Sequence, residues 1–311
     1  MPFLLIALLW LSAAPADEWV RPTMPGDSSA SISLPADWIQ IEGLYARVHT
    51  PESQHAAGLR LSRTAEASIP RIATTLGLPA ARQIDIYLVD NQRDFISLQP
   101  RPPPDWADAT AWPQRSLIFL RTDQVRGGVA KPQAQVLDHE ITHVILGQAF
   151  GAREVPRWLQ EGLSQWIAGE YTPETTRRIA SGLLGKGLFK LEELQGGFPR
   201  DPVRANLAYA QSADLIAWIA AEYGEEALRK LVIEMARGAY FEAAVWRSTG
   251  ERVETIDRMW RSRLEESWIW LEPLFADNSW MLMGAGLLVV GFLAVRRRNR
   301  KKLARWSREE A

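Results

Sequence analysis

The stretch Leu137-Asp-His-Glu-Ile-Thr-His-Val144 decides how the rest of the chain is read. It contains His139-Glu140-x-x-His143. On a helix turning about 100° per residue, the two histidines stand one turn apart and about 40° round from each other. Glu140 falls roughly 60–100° from them. Leu137, Ile141, Val144 and Ile145 gather on the opposite side. The segment therefore reads as a helix with an apolar back and a His-Glu-His front. Gly147, one turn past His143, is expected to leave room over that front. Two neutral imidazoles suit a borderline cation such as Zn²⁺, and a carboxylate beside them can take a proton from water at the metal. The plain alternative is a helix with two unrelated histidines. Against it stands the count: the chain has four histidines (His49, His55, His139, His143), and half lie in this motif.

A third ligand is expected from the next helix, Pro156-Arg-Trp-Leu-Gln-Glu161-Gly-Leu-Ser-Gln-Trp-Ile167, which has proline at its start. Leu159, Leu163, Trp166 and Ile167 share one face, and Trp158, Glu161 and Gln165 share the other. Gly162 permits close approach of a neighbouring helix. Glu161, 18 residues beyond His143, completes a His₂Glu set with an open fourth position. A surface glutamate is the ordinary alternative. The rival acids are Glu154, in the connecting loop, and Glu170, on the apolar face near the helix end. Gln165 and Asp138 are candidates for orienting the ligands.

The pair His139-Glu-Ile-Thr-His143 and Pro156-Arg-Trp-Leu-Gln-Glu161-Gly-Leu resembles the gluzincin zinc metallopeptidases. It is most similar to the bacterial peptidase-MA-like group, whose second motif reads Pro-x-Trp-Leu-x-Glu-Gly. The resemblance is strong over about residues 139–167 and looser from about 40 to 265. It implies that His139, His143 and Glu161 bind zinc and that Glu140 is the general base. It speaks to the reaction more than to the substrate.

With 311 residues, 47% hydrophobic and 23% charged, the chain has the composition of a folded protein. It has no cysteine, which excludes disulfides, Cys-ligated zinc and thiol catalysis. Net charge is −1 but unevenly spread. Residues 296–311 hold eight Lys/Arg against two Asp/Glu, and residues 1–16 hold no charge. That leaves 28 basic and 35 acidic residues, a net of −7, on 17–295. Nothing in that body suggests a nucleic-acid partner.

Met1–Ala16 reads as a secretory signal peptide, with an apolar core at Phe3–Leu11 and an A-x-A-like site at Ala14-Pro-Ala16. Residues 17–36 are expected to be an irregular lead-in. Residues 37–170 are expected to form a zincin-like α+β subdomain with a small mixed sheet. Strands are expected at 38–41, 44–48, 83–89 and 116–120, with helices at 54–78 and 91–98. The resemblance makes 116–120 the candidate edge strand for holding a substrate backbone by strand addition. A strand that merely packs is the other reading. Residues 171–275 are expected to form a helical subdomain. In it Tyr209 is either an oxyanion donor or a core tyrosine with a satisfied hydroxyl.

Trp280–Val295 is sixteen residues without charge, about 24 Å as a helix against a bilayer core of about 30 Å. Arg296–Lys302 follows, whose stems can snorkel and lengthen the span. The positive-inside rule places this tail in the cytoplasm and the zinc site outside. A buried helix followed by a basic nucleic-acid tail is the alternative. The expected protein is a zinc metallopeptidase on a single C-terminal transmembrane helix of the bacterial cytoplasmic membrane, with peptide substrates and membrane lipid as partners. A zincin-like binding or scaffold domain and a metal-dependent hydrolase of non-peptide bonds are the competing readings.

Overall fold

In the computed structural model the described residues are 19–20, 32–79, 81–103, 107–122, 131–185, 187–267, 284, 286–293 and 295–298. A short strand β1 (Trp19–Val20) lies inside the expected irregular lead-in. Then come β2 (Trp38–Glu42), β3 (Ala46–Pro51), β4 (Ile84–Val89), β5 (Ala109–Trp112) and β6 (Leu117–Arg121). These last five form one mixed sheet in the order β2-β3-β4-β6-β5. The β3–β4 and β4–β6 pairs are parallel; β2–β3 and β5–β6 are antiparallel.

The central strands are apolar on both faces, as parallel strands with cover on both sides must be. Val48, Ile84, Ile86, Leu88, Ile118 and Leu120 point to the main core. Tyr87, Val89, Leu117 and Phe119 point the other way, under Ile32, Leu34, Trp38, Phe95, Leu98 and Trp112. Strand β3 starts two residues later than its alternation suggests. The carboxylate of Glu66 accepts the N–H groups of Tyr45 and Ala46 at 2.8 and 2.9 Å, so the entry to the strand is capped by a side chain.

One expectation is overturned. The 116–120 segment, as β6, is paired on both sides, so it has no free edge to offer a substrate. The edge on that side is β5, whose short Ala-Thr-Ala-Trp sequence gives little alternation to read.

Helices α1 (His55–Leu76), α2 (Gln92–Ser97), α3 (Gln133–Phe150) and α4 (Arg157–Ile167) carry the chain through the first motifs. The remainder holds α5 (Pro173–Leu184), α6 (Pro202–Tyr223), α7 (Glu225–Ala236), α8 (Phe241–Thr249) and α9 (Val253–Glu266). A two-residue strand β7 (Phe198–Pro199) pairs antiparallel with β1. One contiguous apolar core runs from Val48 on the sheet to Leu264 on α9.

Two features organise the helical part, one joining it to the motif helices and one within it. The first is the approach of α4 to α6. A Cβ built on Gly162 would lie 2.4 Å from the Ser212 carbonyl oxygen, and that backbone cannot swing aside. Gly162→Ala is therefore expected to lower stability by about 1–3 kcal/mol, the range for overpacking, as read by denaturant unfolding. An unchanged midpoint would contradict this contact. The second is Asp214 on α6, 1% exposed. It accepts the Tyr171 hydroxyl at 2.8 Å, the Trp260 indole N–H at 2.7 Å and the Arg263 guanidinium.

The described part of the expected membrane span is helical, and its Leu287, Leu288, Val289, Val290 and Phe292 are exposed. No helix among the described residues is long and apolar enough to cross a membrane. Residues 1–16, 280–283, 285, 294 and 299–311 lie outside the described residues.

Candidate metal centre

Helix α3 lies over the sheet with Leu137, Ile141, Val144 and Ile145 in the core, and this seating aims the other face at α4. Nε2 of His139 and Nε2 of His143 stand 3.1 Å apart. Oε2 of Glu161, from α4, lies 3.4 Å from the first and 3.5 Å from the second. Zinc–ligand bonds of about 2.0–2.1 Å at tetrahedral angles put ligand atoms about 3.3–3.4 Å apart. The triangle matches that edge without rearrangement. His139, His143 and Glu161 also form the potential metal cluster found among the described residues.

The electrostatics ask for a cation. Glu140, Glu161 and Glu170 face Arg157 and Lys131, an excess of one negative charge while the imidazoles are neutral. Burial opposes charge on His139, but its contacts with Glu161 and Glu170 and the charge of Glu140 outweigh burial and push it up to about 10. Burial would raise Glu161, yet the Arg157 guanidinium and the two histidines hold its carboxyl well below the usual range. Burial keeps the Glu140 carboxyl above its ordinary value, and the histidines only partly offset this.

Behind the triad sit three supporting groups. Nδ1 of His139 lies 3.3 Å from Oε1 of Glu170, a charge contact rather than a well-aligned hydrogen bond. Oε2 of Glu170 takes Lys131 Nζ at 2.6 Å. Oε1 of Glu161 takes Arg157 Nη2 at 2.5 Å. The Arg157 guanidinium also faces the Tyr209 phenol. Burial and the nearby Glu161 charge push that phenol up to about 12 and keep it protonated.

The Peptidase MA superfamily profile matches residues 64–266, more than half of the chain. The chain belongs to the peptidase MA superfamily. The family matched is the one read from the two motifs. No curated protein matched. Among solved structures, Legionella pneumophila aminopeptidase A in complex with aspartic acid is 19% identical, with a TM-score of 0.45 over 72% of this chain and 28% of that one. Yeast LTA4 hydrolase is 13% identical, with a TM-score of 0.45 over 71% and 38%. An M1 zinc metallopeptidase from Deinococcus radiodurans is 14% identical, with a TM-score of 0.42 over 71% and 50%. This peptidase MA chain thus spans at most half the length of those proteins.

Other sequence candidates fall elsewhere in this peptidase MA fold. Glu154 is exposed in the loop before α4. Glu170 lies outside the ligand triangle, behind His139; a turn at Gly169 (φ 65°) carries it back. Asp138 faces away and pairs with Arg71 at 2.5 Å. Gln165 donates to the Tyr209 carbonyl at 3.0 Å, so it fixes α4 against α6 rather than touching a ligand. Gly147 does not leave open space. A Cβ there would lie 2.2 Å from Cβ of Pro113, so the glycine admits the turn after β5. Arg157 and Lys131 went unread in the sequence. For Arg157 the signal was its i,i+4 spacing to Glu161. Lys131, 39 positions from Glu170, offered none.

Proposed function

We propose that the chain is a zinc metallopeptidase hydrolysing peptide bonds, held at the outer face of a membrane by the apolar segment 280–295. One observation carries the reaction: three ligand atoms from two helices converge within 3.1–3.5 Å of one another beside the Glu140 carboxylate. Bound there, zinc would supply Lewis acidity, acidifying a water and polarising a carbonyl. Glu140 would take the proton from that water and deliver it to the leaving amine; a carboxyl raised by burial suits both halves of that task. The Tyr209 hydroxyl, kept protonated, would steady the oxyanion. Strand β5, the sheet edge beside α3, would hold an extended peptide by strand addition. The anchor reading rests on the uncharged run and the basic block that ends it.

Metal removal tests the reaction. The purified chain is expected to carry one zinc and to cleave an unfolded polypeptide. Chelation should abolish cleavage, and one equivalent of zinc should restore it. Full cleavage by the metal-free chain would sink the reading. The anchor is tested separately by membrane fractionation of the full chain against one ending at residue 279; equal release into the soluble fraction would refute it.

A further inference from the structure

We propose that Arg157 is a positioning residue that makes Glu161 a one-oxygen metal ligand; this rests on the zinc reading above. Glu161 is 1% exposed, so both carboxylate oxygens must find partners inside the protein. Oε2 faces the two imidazole nitrogens at 3.4 and 3.5 Å. Oε1 faces Arg157 Nη2 at 2.5 Å. A carboxylate free at both oxygens can take a metal through both, adding a ligand and crowding the position a water needs. With Oε1 held by a guanidinium, only Oε2 is left for the metal.

The arginine is itself fixed. It is the first residue of α4, and its backbone N–H donates to the Gln195 carbonyl at 2.8 Å. Gly162 locks the same helix against Ser212, so the fork cannot follow a drifting carboxylate. The side chain type matters too. A guanidinium is planar, always charged and rigid in its donor directions, whereas an ammonium is a point charge on a flexible stem. The motif Pro156-Arg-Trp-Leu-Gln-Glu161 thus places the ligand and its holder one turn apart on one helix.

The test uses the full chain with Arg157→Gln and Arg157→Lys, loaded with Zn²⁺ or Co²⁺. Zinc affinity is read by chelator competition, and coordination by the visible absorption of the Co²⁺ form. Arg157→Gln is expected to bind zinc roughly 10- to 100-fold more weakly. Its Co²⁺ bands should weaken and shift as Glu161 turns both oxygens inward and coordination number rises. Arg157→Lys keeps a cation and should fold even where the glutamine variant does not. It should recover part of the affinity while its Co²⁺ bands still differ from wild type. A general loss of packing would lower melting temperature without altering the bands of the folded fraction. Wild-type affinity and bands in a folded Arg157→Lys and Arg157→Gln overturn the proposal while leaving the zinc reading intact. A wild-type chain that takes up no stoichiometric zinc overturns both.

Discussion

Replacing Glu140 by glutamine should leave one zinc per chain and reduce peptide turnover by about 10²- to 10⁴-fold, the usual contribution of a positioned acid–base group. The two readouts separate because Glu140 is not in the ligand triangle, which is closed by His139, His143 and Glu161. Glutamine has the same shape and fills the same space on α3, so folding should be nearly unaffected. It cannot accept the water proton. Any residual rate would come from substrate placement and from Tyr209. A Glu140→Gln enzyme as fast as wild type would remove the general base from the scheme. A variant that loses zinc as well would make Glu140 part of the binding site.

Replacing Glu161 has a different signature, in which metal, activity and stability fail together. Glu161→Ala removes one of three ligands, so zinc should be lost at concentrations that saturate the wild type. It also leaves Arg157 without its carboxylate. Breaking a fully buried pair costs about 3–5 kcal/mol. The Arg157 side chain is 29% exposed and can reach water, so the loss should fall near or below the lower end of that range. Urea unfolding with and without zinc measures it. A double variant, Arg157→Met with Glu161→Ala, should recover part of the stability and none of the metal. If the single variant is as stable as wild type without zinc, the Arg157–Glu161 pair is not holding α4 in place.

Much of the site was legible because it obeys helical arithmetic. His139, Glu140 and His143 fix one another's directions once the segment is a helix, and the apolar set Leu137, Ile141, Val144 and Ile145 says which way it faces. Glu161 could be reached because its helix carries its own polarity. What could not be read depends on contacts between distant segments. Lys131 meets Glu170 only because the turn at Gly169 folds back. Edge strand β5 is four residues long and becomes a strand only by pairing with β6. Gly147 shows the limit of reasoning on one helix. It is small as expected, but what its smallness admits is Pro113, a partner 34 positions earlier. Gly162 was read correctly because close helix approach is what a glycine beside a buried ligand can be for.

The carboxylate of Asp214 bears on how this protein can be cut for study. It joins the Tyr171 hydroxyl, one residue after Glu170, to Trp260 and Arg263 on the last described long helix. A fragment ending before α9 would strand that buried anion, and one ending with the two motif helices would open the apolar core they share with α6 and α9. The smallest piece that can stand alone therefore runs past Arg263, and the half of the chain without metal ligands is a girder of the half that has them.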